Sequence, residues 1–105
     1  MTDDKLLSKL DGKDVYVKSF TAECKENSLR LTMTCVTNDK SEFFLVFENA
    51  SKLNMSEVNC PFQISGFEIL DYKERGYMKE NRYFVNDYEY GTISFYCEDF
   101  HIFSL

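Results

Sequence analysis

Scarcity is the first thing this chain shows: no Trp, a single Pro, a single His and only four Gly. Gly12, Gly66, Gly76 and Gly91 stand far apart, so no glycine-rich loop is present to cradle a phosphate. One imidazole, His101, cannot make a His-based metal centre. Cys24, Cys35, Cys60 and Cys97 contain no C-x-x-C pair, so no zinc site and no other cofactor is expected. No apolar run approaches the roughly 18 residues of a membrane span. The opening Met1-Thr2-Asp3-Asp4-Lys5 has no basic stretch followed by an apolar one, the pattern of an export signal. The expectation is a cytoplasmic protein with four reduced thiols. Basic charge is also short. Twelve Lys and Arg stand against eighteen Asp and Glu, for a net charge of −6. Phosphate neutralisation dominates nucleic-acid affinity, so this balance argues against a nucleic-acid partner.

Aromatic residues are plentiful. Ten Phe and seven Tyr, in a chain of 105 residues that is 44% apolar, describe a folded domain rather than a disordered segment. Such a composition suits pleated strands better than long helices. With no repeat and no linker, residues 1–105 read as a single domain with one core.

The run from Asn81 to Phe103 carries the clearest pattern. Arg82 to Tyr88 and Thr92 to Cys97 are strand-like, and Glu89-Tyr90-Gly91 between them reads as the turn of a β-hairpin. Alternation places Ile93, Phe95 and Cys97 on one face and Thr92, Ser94 and Tyr96 on the other. Earlier in the chain, residues 2–11 suggest a short helix with a stripe of Leu6, Leu7 and Leu10, ended by Gly12. Lys13 to Phe20 alternates, with Val15 and Val17 opposite Tyr16, Lys18 and Phe20, and Thr21 to Lys25 continues it past an irregularity. Glu26-Asn27-Ser28 turns the chain. Leu29, Leu31, Met33 and Cys35 then point inward along the next strand. Ser41 to Glu48 contains Phe43, Phe44, Leu45, Val46 and Phe47 in succession, which predicts a central strand covered on both faces. Asn49 to Cys60 lacks a period and reads as a loop with a helical turn. Phe62 and Ile64 have the opposite parity to Phe67 and Ile69. The spacing predicts one long strand, Gln63 to Tyr72, bulged at Ser65-Gly66. Lys73 to Glu80 is a charged connection, and Phe100 to Phe103 a last strand or a bulged continuation of the one before it. Six to eight consecutive strands predict a mainly β fold: an antiparallel meander forming a sandwich or a partly open barrel, with one short N-terminal helix.

Catalytic chemistry finds little support. Asp99 and His101 share a strand face, but no spacing ties a nucleophile such as Ser94, Ser104 or Cys97 to them. No catalytic residue and no enzyme activity are therefore expected. Binding is better supported, because Tyr offers large contact area with a polar tip at small entropic cost. Tyr83, Tyr88 and Tyr90, interleaved with Asp71, Glu74, Asp87 and Glu89, are the candidate binding residues of an acidic, aromatic surface around the hairpin ends.

The runs FENASKLN (Phe47 to Asn54), ISGFEILD (Ile64 to Asp71), RYFVNDYE (Arg82 to Glu89) and ISFYCEDF (Ile93 to Phe100) resemble small bacterial proteins of unknown function. Some of these are encoded near polymorphic-toxin systems and regarded as immunity proteins. The resemblance spans the C-terminal part of the chain; its motifs are structural rather than catalytic, so it implies a shape more than an activity, and brings no site residues. The leading expectation is a non-enzymatic domain that binds another protein, a basic one, as an immunity-type inhibitor would. The alternatives are a β module holding a small molecule or peptide between its sheets, and a self-associating homodimer paired through the apolar strand Phe43 to Phe47.

Overall fold

Alternating burial along each strand organises the molecule around one apolar layer. The computed structural model describes residues 3–56, 61–72, 78 and 81–105. Its elements are α1 (Asp3–Leu7), β1 (Val15–Lys25), β2 (Ser28–Thr37), β3 (Glu42–Glu48), β4 (Ser51–Met55), β5 (Phe62–Ile64), β6 (Phe67–Asp71), β7 (Tyr83–Asp87), β8 (Ile93–Cys97) and β9 (Asp99–Ser104). They build two antiparallel sheets, ordered β5-β1-β2-β3-β9 and β4-β8-β7-β6. The mainly β, antiparallel expectation holds in its two-sheet form, with a meander of consecutive strands inside each sheet.

Period-two patterning explains the core. In β2 and β3, Cys35 lies opposite Phe43, Met33 opposite Leu45 and Leu31 opposite Phe47, and all six side chains are buried. The second sheet contributes Val85 from β7 and Ile93, Phe95 and Cys97 from β8. Phe47 and Phe95 meet edge to face across the gap, ring centroids 4.9 Å apart. Each such side chain stabilises the fold by about 1.5–3 kcal/mol through the apolar surface it removes from water. The predicted Leu stripe also docks. Leu6 and Leu10 are buried, α1 packs against β9, and the Gly12 N–H donates to the Phe67 carbonyl at 2.8 Å. The N-terminal segment thus ties one sheet to the other. Gly12 ends it at φ +73°, a conformation an L side chain rarely adopts.

Four expectations change. The stretch Asn49 to Cys60 is not a plain loop, because Ser51–Met55 is edge strand β4, paired with β8. None of its residues is fully buried, because an edge strand faces water. Left-handed backbone at Asn49 and Lys52 also breaks the period that would have revealed it. Second, the parity switch at Ser65-Gly66 is real, but it separates two strands rather than bulging one. β5 pairs with β1 in the first sheet and β6 with β7 in the second, so the chain changes layer there. Third, the irregularity of β1 falls between Val17 and Ser19. That extra residue turns Phe20 towards the core side, where its ring meets Phe62 at 6.4 Å. Fourth, β3 is interior to its sheet but is not covered on both faces. Phe44 and Val46 on the outer side are half-buried, and Phe44 lies 6.3 Å from Phe103, which is itself 51% exposed. With β2 and β9 on either side, β3 has no edge to offer a second copy. The predicted connection Lys73 to Glu80 lies, apart from Met78, outside the described residues.

Candidate binding surface at the Asp87 turn

β7 and β8 form the predicted hairpin, and one carboxylate organises the turn between them. Asp87 is 1% exposed. Its Oδ1 accepts the backbone N–H groups of Gly66, Glu89 and Tyr90 at 3.1, 3.2 and 3.4 Å, and its Oδ2 accepts that of Thr92 at 3.3 Å. Gly91, at φ +64°, closes the turn by donating its N–H to the Asp87 carbonyl at 2.9 Å. Burial alone would raise the Asp87 carboxyl. The hydrogen bonds from Thr92, Tyr90 and Gly66 outweigh it and hold the group below the ordinary aspartate range.

The same turn is clamped to the crossing point of the two sheets. The Tyr88 N–H donates to the Gly66 carbonyl at 2.9 Å. A Cβ on Gly66 would stand 2.9 Å from atoms of the Tyr88 ring and the Glu89 side chain, so only Gly fits beneath them. What the clamp presents is aromatic: Tyr88 is 50% exposed and Tyr90 76%, with Glu89 exposed between them.

The predicted site residues therefore separate. Tyr88, Glu89 and Tyr90 stand together at the turn, with Asp87 turned inward as their support. Asp71 and Tyr83 pair with each other at the opposite end of the β6–β7 ladder. There Arg82 holds both Asp71 oxygens, at 3.4 and 3.3 Å, and lies 4.8 Å over the Tyr83 ring. Tyr83 itself packs edge-on to Phe100 at 4.9 Å, and burial pushes its hydroxyl pKa up. Glu74 lies outside the described residues. A further surface was not anticipated. On the outer face of the second sheet, Phe84 stacks on Tyr72 at 6.3 Å and meets Tyr96 at 4.8 Å, and Lys52 sits 5.2 Å over the Tyr96 ring. The signal was available, since Phe84 is the apolar residue out of phase in its strand.

Other chemistry is spread thinly. Asp99 and His101 are neighbours as expected, 3.7 Å apart, and both are exposed on β9. Cys35 and Cys97 are buried, and burial pushes both thiols up to about 12, while Cys24 is exposed. Among the described residues no group of three or more His, Cys, Asp or Glu is arranged to hold a metal ion. Open polar clefts run along Lys9, Lys13, Asp14 and Asp39 at one end and Glu26, Asn49, Glu98 and Asp99 at the other. The centre between the sheets, where an enclosed ligand would sit, is taken by Phe47 and Phe95. No helix among the described residues is long and apolar enough to cross a membrane. No family model, no curated protein and no solved structure matches the chain.

Proposed function

We propose that this chain is a non-enzymatic protein-binding domain whose contact surface is the turn after β7. The observation that carries the reading is the exposure of Tyr88 and Tyr90 on a turn locked by a buried carboxylate. Large apolar rings held in water gain more on binding than on staying free. A rigid turn loses little further entropy when a partner closes over it. Tyr hydroxyls and Glu89 supply polar contacts at the rim.

The partner that fits is a basic protein. A net charge of −6 speeds encounter with a positive surface and selects against acidic competitors. Its sharpest form is an immunity-type inhibitor, a bacterial cytoplasmic protein that blocks a toxin.

The test is a pull-down from host lysate with tagged wild type, Tyr90→Ala and Tyr88→Ala, at low and high salt, with unfolding midpoints recorded in parallel. We expect one stoichiometric partner on wild type, weaker at high salt, and lost at least about tenfold on Tyr90→Ala with the midpoint unchanged. Equal capture by the wild type and both variants would remove the turn from the interface.

A further inference from the structure

A second surface, on the other sheet, points to self-association. β1 is long, and β5 covers only Val15, Val17 and Tyr16 between them. Beyond Val17 no described strand lies on that side, and Thr21 to Lys25 are exposed. The edge alternates in a defined way. Lys25 and Ser28 close a two-residue turn, Glu26-Asn27, in which both residues have positive φ, 52° and 62°. The closing pair of such a hairpin exchanges both hydrogen bonds, so Lys25, Glu23 and Thr21 direct their N–H and C=O groups towards β2. Phe20, Ala22 and Cys24 direct theirs away from β2, to the side where no described strand lies.

We infer that this edge pairs antiparallel with β1 of a second copy, the two-fold axis passing between the two Ala22 residues. In that register Phe20 lies opposite Cys24 of the second copy, Ala22 opposite Ala22, Thr21 opposite Glu23 and Ser19 opposite Lys25. A large ring then meets a small thiol, the axis is lined by methyl groups, and no like charges face each other. All of Ser19 to Lys25 is paired, with about six new backbone hydrogen bonds between outward-facing residues. Other registers are worse. Moving the axis to Glu23 sets two carboxylates against each other. Moving it to Cys24 sets Ala22 opposite Glu26, whose φ of 52° takes it out of strand geometry. The result is one continuous sheet across both copies, an isologous contact that closes on itself. A strand edge is a small interface, so the dimer is concentration-dependent. The Tyr88–Tyr90 turn belongs to the other sheet, and the inference does not rest on it.

Two measurements test this. The first uses Ala22→Cys in a Cys24→Ser, Cys60→Ser chain, with oxidised glutathione taking the two electrons as the disulfide forms. Facing residues of a bonded antiparallel pair lie about 5.5 Å apart at Cα, within disulfide range, whereas two residues at position 23 are offset along the strands. We expect rapid disulfide-linked dimer for Ala22→Cys and at least tenfold slower linkage for Glu23→Cys. The second is sedimentation of wild type and Ala22→Pro over a range of concentrations. Residue 22 sends its N–H outward, so Pro removes a dimer bond while leaving the β2 ladder intact. The expected result is a wild-type dimer at high concentration and an Ala22→Pro monomer with an unchanged unfolding midpoint. Equal linkage rates at positions 22 and 23, or a wild type that stays monomeric throughout, would overturn the inference.

Discussion

Replacing Asp87 with Asn keeps the size of the side chain and removes its charge. In the wild type the carboxylate accepts backbone N–H groups from Gly66, Glu89, Tyr90 and Thr92 at 3.1 to 3.4 Å. Asn retains one carbonyl oxygen for the first three and turns an NH₂ towards the Thr92 N–H, donor against donor. Hydrogen bonds to a charged group are worth about 1.5–3 kcal/mol and neutral ones about 0.5–1.5 kcal/mol. The contacts are long and share one acceptor, so the low end applies, and the loss is about 2 kcal/mol. For a domain of this size that lowers the unfolding midpoint by roughly 10 °C. The pH dependence identifies the cause. Because the folded-state pKa of Asp87 lies below its unfolded value, its stabilisation is complete above the usual carboxylate pKa of about 3.9. It is lost as pH falls through the lower, folded value. Urea unfolding of both proteins at pH 7, 5 and below 3 measures this directly. The gap should be full at pH 7 and 5 and close in acid, where a protonated Asp87 resembles Asn. A variant as stable as wild type at pH 7, or a gap that survives acid unchanged, would refute the assignment of the turn to this carboxylate.

Gly66→Ala drives a methyl group against the Tyr88 ring, 2.9 Å from its Cβ position. It should cost about 1–3 kcal/mol by urea unfolding and weaken partner capture in the same experiment. Phe95→Ala opens a cavity against Phe47 and should cost about 3–5 kcal/mol, whereas Phe103→Ala on the exposed outer face should stay within about 1 kcal/mol, both read from thermal midpoints. In a Cys60→Ser chain, native protein at pH 8 should take one maleimide label, at Cys24. Cys35 and Cys97, with thiols pushed up to about 12, should label only after unfolding, as counted by mass spectrometry.

Much of this protein was legible residue by residue. Strict alternation at Leu31, Met33 and Cys35 and at Ile93, Phe95 and Cys97 identifies inward faces without knowledge of the neighbours, because a strand has only two sides. The hairpin at Glu89-Tyr90-Gly91 follows from local chemistry, whereas the helix expected over residues 2–11 stops at Leu7, and turns carry the chain on to Gly12. Where the pattern depends on what lies across a gap, the sequence was silent. β4 reads as a loop because its polar residues and left-handed Lys52 suit an edge, and only pairing with β8 makes it a strand. Ser65-Gly66 shows the same parity switch whether the chain bulges within one sheet or crosses to another, so local spacing cannot distinguish the two. Asp87 looks like any surface acid in an acidic stretch. Local N–H groups of Glu89, Tyr90 and Thr92 converge on it, but its burial also draws on Gly66 from another strand, and the β6–β7 register places Asp71 beside Tyr83 at the far end of the ladder. Local periodicity determined which side chains turn inward. Tertiary structure decided which strands meet, which of the described strands lie beside β1 and which carboxylate is a support rather than a contact, because these depend on residues far apart in the chain.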